Sequence, residues 1–143
     1  MNGLRAVMDT NVLVAAFRSR QGASFELFLR LRRGEWTAVI SNHLLFEYEE
    51  VLKRETATGL SLTDVDHILN AVCARSEEHL LAPGWEPILA DADDEPLVQL
   101  AHESGAKLIV SFNARHLEPA KGLGISVLKP GDFLAMVRRE TIP

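Results

Sequence analysis

The sequence predicts an α/β fold with a mainly parallel sheet, because short apolar runs alternate with helical patterns along the chain. Its 143 residues are a common size for one domain, long enough to bury about two-thirds of the unfolded surface. Hydrophobic residues make up 47% and charged residues 24%, as in ordinary globular proteins. Since no repeat, low-complexity tract or linker interrupts the chain, residues 1–143 are interpreted as a single domain.

The strands and helices of this sheet can be assigned in chain order. Apolar runs predict strands over residues 4–8, 37–40, 107–110 and 126–128, and a short edge strand is expected within 77–83. Helices are predicted from about Asn11, over 22–33, over 43–55, over 95–104 and over 131–139. A further helix begins at a cap, either Ser61 or Thr63, and runs to about residue 76. Gly105 is expected to end the helix over 95–104.

Charge and cysteine content restrict the function. A net charge of −5 argues against holding a nucleic acid by bulk electrostatics. Any RNA bound would need local help from basic clusters, namely Arg18 with Arg20, Arg30 with Arg32 and Arg33, and Lys53 with Arg54. The single cysteine, Cys73, excludes an internal disulfide or a multi-cysteine metal site and is expected to be a buried, inert thiol.

Membrane-spanning and secretory segments are not predicted. The chain has neither an apolar run of the ~20 residues that a membrane span requires nor a secretory signal pattern at its start. No membrane association is therefore expected, and the cytoplasm is the default location.

Polar side chains are predicted to gather at the carboxyl ends of the strands, where ligands collect in open parallel sheets. Asp9 follows the first strand, Glu47 lies in the helix after the second, and Asn113 follows the strand over 107–110. A helix cap or turn is the alternative for Asp9, a turn for Asn113, and a solvated helix face for Glu47. Periodicity alone does not choose between Glu47 and Glu49, because both border the apolar stripe of their helix.

Asp94 belongs to an acidic run, residues 91–96, at a predicted helix start. Capping and the helix macrodipole account for the run as a group. They do not explain why Asp94 shares a face with Leu97, Val98 and Ala101. A carboxylate at the inner end of an apolar face is costly unless it is paired or coordinated. His116 has no second histidine at ligand spacing, so zinc chemistry is not expected.

Four segments of the chain resemble the PIN domain family in their order and separation. They are VMDTNVLVAAF, SNHLLFEYEEVL, DADDEPLVQLA and LIVSFNARHL. Each is weak alone, but together they cover essentially the whole chain. Within the family, the chain is similar to proteins described as toxins of toxin–antitoxin systems.

The resemblance implies a three-layer α/β/α fold and a metal-dependent ribonuclease. Its acidic pocket would bind Mg²⁺ or Mn²⁺ through Asp9, Glu47 and Asp94, and Asn113 would complete the catalytic set. Asp94 rather than Asp93 matches, because the family's acid stands seven residues before a small residue, here Ala101. Three further residues match polar residues that line such pockets: Thr10, Asn11 and Ser111. If the three acids converge within several ångströms, mutual repulsion should raise the pKa of at least one.

The partners implied are an RNA substrate, a cognate antitoxin protein, and further copies of the chain in a homodimer or higher oligomer. Phe25, Leu29 and Phe46 lie off the apolar stripes of their helices, so they pack against neighbouring elements or form a partner surface. We predict that they are partly exposed in the monomer.

Two other functions compete with the ribonuclease. Many PIN domains carry an aspartate where this chain has Asn113, and the missing charge favours an inactive domain that binds RNA or an antitoxin without cutting. A phospho-accepting receiver domain also gathers acids at strand ends. It would require an acidic pair after the first strand and a lysine after a late one, and the chain has neither.

Overall fold

The computed structural model of the protein describes residues 3–141. Five parallel strands form one sheet in the order β3-β2-β1-β4-β5. The strands are β1 (Arg5–Met8), β2 (Thr37–Ile40), β3 (Ser76–Glu78), β4 (Leu108–Val110) and β5 (Ser126–Leu128). Six helices flank the sheet: α1 (Thr10–Arg18), α2 (Ala23–Arg32), α3 (Asn42–Arg54), α4 (Leu62–Ala74), α5 (Glu95–Glu103) and α6 (Pro130–Thr141). The predicted α/β/α architecture with a parallel sheet is confirmed.

Strand β1 is central, and its position determines where the site can form. Ala6 pairs with Ala38 on one side, and Val7 pairs with Ile109 on the other. All four of these residues are fully buried. Because parallel strands end at the same edge, residues that follow β1, β2 and β4 are brought together there.

Two aromatic side chains fasten helices to this frame. The Tyr48 hydroxyl of α3 donates a hydrogen bond to the carbonyl of Met8, the last residue of β1. Trp36 donates to the carbonyl of Leu27 at 2.9 Å and packs edge-on against Phe133 of α6. The bond from Tyr48 holds one face of α3 beside the carboxyl end of β1.

Helix α4 begins at Ser61, the first of the two predicted caps. The Ser61 side chain accepts from the Asp64 amide while the Asp64 carboxylate accepts from the Ser61 amide, so both bonds of a capping box are present. The prediction for Cys73 was wrong, because this thiol is exposed. Val65, Ile68 and Val72 form the buried face of α4, and Cys73 lies off that face.

The edge strand and the segment after it also depart from the prediction. The strand spans Ser76–Glu78, whereas it was expected within 77–83, and the chain then continues without regular structure to a 3₁₀ turn, Ala92–Asp94. A second 3₁₀ turn, Glu118–Leu123, was not predicted. Within residues 3–141, no helix is long and apolar enough to cross a membrane.

Candidate active site

Asp9 lies at the carboxyl end of β1, buried between β1 and β4. Its amide donates to the carbonyl of Val110 at 2.9 Å, which extends the strand pairing by one residue. Its carboxylate accepts a 2.6 Å hydrogen bond from the Ser111 hydroxyl. Although Asp9 precedes α1, its side chain makes no capping hydrogen bond to the described part of the chain. Helix capping therefore does not explain the carboxylate.

Glu47 reaches the same edge from α3. Its carboxylate accepts a hydrogen bond from the Thr10 hydroxyl, in the first turn of α1. The neighbouring Tyr48 is the residue bonded to the end of β1, so the backbone of Glu47 is fixed beside Asp9. Glu49 instead forms an ion pair with Lys53 at 2.8 Å. The structure thus distinguishes two glutamates that periodicity left equivalent.

Asp94 is partly buried where the 3₁₀ turn Ala92–Asp94 meets α5. Asp91 caps that turn through a 2.9 Å bond from the Asp93 amide. The Asp94 side chain, in contrast, makes no capping bond to α5 among the residues described. Asp9, Glu47 and Asp94 line one cleft together with His43, Asp93 and Pro96.

Electrostatics indicate that the three carboxylates lie close enough to interact. Burial raises the pKa of Asp9, and the charges of Asp94 and Glu47 raise it further, while the hydrogen bond from the Ser111 hydroxyl and, less strongly, the adjacent Thr10 backbone N–H oppose this. Burial also raises the pKa of Asp94, followed by the charge of Asp91 and, less strongly, that of Glu47. The predicted rise is therefore present, but burial and not charge repulsion is its largest cause.

The carboxylates of Asp9, Glu47 and Asp94 suit a divalent cation, although they are not arranged in coordination geometry around one point. The three side chains offer only carboxylate oxygens, the ligands that Mg²⁺ and Mn²⁺ prefer. The cleft has about 20 Å³ of free volume, enough for a species the size of one water. Within residues 3–141, no group of three or more His, Cys, Asp or Glu side chains is already arranged to hold a metal ion.

The other predicted residues surround the acids to different degrees. The Ser111 hydroxyl links Asp9 to the backbone of Asn113. It donates to the Asp9 carboxylate and accepts from the Asn113 backbone N–H at 2.9 Å. Asn113 itself is exposed. Asn11 is partly buried, and its side-chain oxygen is buried without a hydrogen-bond partner in the described chain. These placements show Thr10 and Ser111 acting as hydrogen-bond donors to Glu47 and Asp9.

A family model described as PIN domain matches residues 5–115. The matched region includes Asp9, Glu47, Asp94 and Asn113, together with strands β1 to β4. The chain belongs to the PIN domain family. A search of curated proteins found no match. PIN domains are in general nucleases, and PIN nucleases typically use divalent metals.

Sequence reasoning missed one residue of this PIN domain, Glu95. It is only 7% exposed, and its carboxylate accepts from the Trp85 indole at 2.9 Å and from the amides of Ile88 and Leu89 at 3.0 and 2.5 Å. Glu95 thereby fastens the irregular segment before the 3₁₀ turn to the start of α5, next to Asp94. The acidic run suggested helix capping, and no signal in the sequence paired Glu95 with these donors.

Asp94→Asn is expected to stabilise the metal-free protein. The raised pKa means that the folded state holds the Asp94 proton more tightly than the unfolded state, whose carboxyl titrates near 3.8. The contribution of Asp94 to stability is therefore greatest below that value and is lost as pH rises through the folded pKa. Removing the charge should recover on the order of 1 kcal/mol or less at neutral pH, given an effective dielectric near 20 and screening by solvent.

Melting temperatures with chelator and with Mg²⁺ test this expectation. The variant should melt higher than wild type in chelator, with a difference that shrinks in acid. It should gain less from Mg²⁺, because a ligand stabilises the native state that binds it. An Asp94→Asn protein that melts lower in chelator would mean that the carboxylate supports the fold, and the acidic cleft would lose a member.

Proposed function

We propose that this PIN domain is a ribonuclease that hydrolyses RNA phosphodiester bonds with Mg²⁺ or Mn²⁺. The observation that carries the proposal is the meeting of Asp9, Glu47 and Asp94 in one cleft at the carboxyl edge of the sheet. Three carboxylates in one cleft are a poor site for an anion on their own. They are a good site for a divalent cation, and that cation can in turn bind a phosphate.

The roles of the residues follow from their chemistry. Asp9 and Asp94 would hold the cation, with Ser111 orienting the Asp9 carboxylate through its 2.6 Å bond. When bound, the cation supplies Lewis-acid polarisation of the phosphate and lowers the pKa of a bound water. Glu47 would either bind the metal or orient the attacking water as a base. Asn113, exposed beside Ser111, would hydrogen-bond water or phosphate.

Purified protein tests the proposal directly. RNA should be cleaved when Mg²⁺ or Mn²⁺ is present, and cleavage should stop when a chelator is added. Cleavage that continues in chelator would contradict the metal requirement and indicate a contaminating nuclease.

A PIN domain that binds without cutting is the second candidate. Two observations favour it: Asn113 replaces a carboxylate common in the family, and the acids are not pre-arranged as a metal site within residues 3–141. Binding of RNA or an antitoxin with no cleavage under any divalent metal would support this alternative.

The proposed biological setting is a toxin–antitoxin pair, in which the chain is the toxin and self-associates. The exposed apolar surface of the protein supports the part of this proposal that concerns a partner. Phe46 of α3 is 68% exposed, while Phe25 and Leu29 of α2 are partly buried beside a groove between α2 and α4. Contiguous exposed apolar surface marks sites that a partner covers, and Phe46 is proposed to lie at the centre of such a contact.

Phe46→Glu is expected to lower the sedimenting mass from a dimer or larger assembly to a monomer. A charge at the centre of an apolar contact would be desolvated without a partner, which is strongly unfavourable. Leu80→Glu is the matched control, because Leu80 is also exposed, at 87%, but lies in the segment after β3. If Phe46→Glu keeps the wild-type mass, and still binds any antitoxin, Phe46 is ordinary surface.

A further inference from the structure

The basic clusters that the sequence offered for RNA binding are mostly engaged within the fold. Their charged groups form ion pairs of 2.5 to 3.8 Å with carboxylates. The pairs are Arg18–Glu55, Arg30–Glu26, Arg30–Glu35, Arg33–Glu35, Lys53–Glu49 and Arg54–Glu50. Arg20 lies over the rings of Phe17 and Phe25. A phosphate would have to compete for each of these cations, and of the clusters only Arg32 is exposed with neither an ion pair nor a ring contact within residues 3–141.

Arg115 and His116 differ from those clusters. Both are exposed, and they follow Asn113 in the segment after β4. The His116 backbone N–H donates to the Asn113 carbonyl at 3.0 Å, so a tight turn holds the backbone of this segment. Neither side chain forms an ion pair with any residue in the range 3–141. Their donors are thus available to an anionic ligand.

The two side chains line a groove that adjoins the acidic cleft. Arg115, His116 and Pro119 form one part of it, and Asp91 and Ala92 form another. Its volume, about 570 Å³, is in the range of sites that hold small ligands. Ala92 begins the 3₁₀ turn that ends at Asp94. The groove and the cleft are therefore connected through three residues of backbone.

His116 also acts electrostatically on the cleft. A positive charge on the His116 ring lowers the pKa of Asp94, against the burial and acidic charges that raise it. Among the described groups that shift the pKa of Asp9 or Asp94, it is the one cation.

We propose that Arg115 and His116 bind a backbone phosphate of the RNA strand, adjacent to the phosphate that is cleaved at Asp9 and Asp94. The guanidinium donates to two phosphate oxygens at once, and the imidazole donates through a ring N–H. Asp91 also lines the groove, and its negative charge opposes phosphate binding there. This subsite rests on the proposed ribonuclease function, since it names how the strand is held for that reaction.

Equilibrium binding to a short fluorescein-labelled single-stranded RNA, measured by anisotropy in chelator, tests the subsite without cleavage. Arg115→Ala is expected to weaken binding by about fivefold. The slope of log affinity against log salt should become shallower by about 0.7 for each phosphate that the variant no longer neutralises. The double variant Arg115→Ala/His116→Ala should show a larger decrease in both quantities. Asp91→Asn should tighten binding, because it removes the opposing charge and keeps a side-chain oxygen for the turn.

Arg139→Ala is the matched control. Arg139 is an exposed arginine near the end of α6, and Thr141 of the same helix contacts Arg30 at the end of α2, away from the carboxyl edge of the sheet. Its substitution should leave affinity and salt slope unchanged. In cleavage assays with Mg²⁺, Arg115→Ala should lower kcat/KM mainly by raising KM, since it contributes to holding the strand.

The outcomes separate this proposal from the ribonuclease itself. Wild type that cleaves RNA while the double variant keeps its affinity and salt slope would overturn the subsite and leave the ribonuclease standing. Wild type that binds RNA through Arg115 but cleaves nothing would keep the subsite and overturn the ribonuclease. The subsite would also be overturned if Arg139→Ala lowered RNA affinity as much as Arg115→Ala does. The same holds if wild type binds no RNA at low salt.

Discussion

Asp9→Asn and Asp94→Asn are each expected to slow RNA cleavage by about 10²- to 10³-fold, the effect of losing several kcal/mol of metal-based stabilisation. An amide keeps the size of the side chain but donates one charged ligand fewer to the cation. Asp9 should show the larger loss, because it is the more buried acid and is oriented by Ser111. Single-turnover cleavage at saturating Mg²⁺ measures the effect on chemistry.

Two pairs of variants make the test specific. Asp66→Asn controls for charge removal, because Asp66 is an exposed aspartate of α4 outside the cleft. Glu47→Gln can be compared with Glu50→Gln, whose carboxylate pairs with Arg54 on the outer surface of the same helix. Circular dichroism should show every variant folded. If Asp9→Asn and Asp94→Asn both cut at the wild-type rate, the acidic cleft is not the catalytic site.

The order of strands and helices could be predicted because each has a strong local signal. Four apolar runs predicted β1, β2, β4 and β5. Val7, Ile109 and their neighbours in β1, β2 and β4 are buried as expected, whereas β5 is only partly buried. Strand β3 was harder, since its sequence, Ser-Glu-Glu, is polar. It is held by pairing with β2 and by an ion pair between Arg5 and Glu77. These two residues lie 72 positions apart, so their interaction leaves no periodicity to detect.

The same limit applies to the candidate site. Glu47 and Glu49 border the apolar stripe equally, and they are distinguished only by tertiary and side-chain contacts: Glu47 accepts a bond from Thr10, whereas Glu49 pairs with Lys53. The expected cause of the raised pKa was charge repulsion, whereas burial is the larger effect for both Asp9 and Asp94. Burial of a single carboxylate depends on the packing of several elements around it. The sequence therefore predicted which acids form the candidate site better than it predicted how deeply each carboxylate is buried.

Glu95→Ala is expected to lower the free energy of unfolding by about 1 to 2 kcal/mol, because it removes the buried carboxylate that accepts hydrogen bonds from three donors in the segment before α5. The donors are the Trp85 indole and the amides of Ile88 and Leu89. Glu86→Ala is the control, since Glu86 is an exposed glutamate of the same segment. Its substitution should change stability by no more than about 0.5 kcal/mol. Urea unfolding followed by circular dichroism compares the two.

The pH dependence of this loss identifies its cause. Burial raises the pKa of Glu95, but the indole and amide donors outweigh it, so the pKa lies below its ordinary value of 4.5. A lowered carboxyl pKa contributes stability above the unfolded value, and that contribution is lost as pH falls through the folded pKa. The difference in free energy of unfolding between wild type and Glu95→Ala should therefore be largest at neutral pH and shrink below pH 4.5. Because Glu95 adjoins Asp94, the variant should also weaken Mg²⁺ stabilisation. A difference that stays constant into acid would mean that Glu95 contributes by packing and not through its charge.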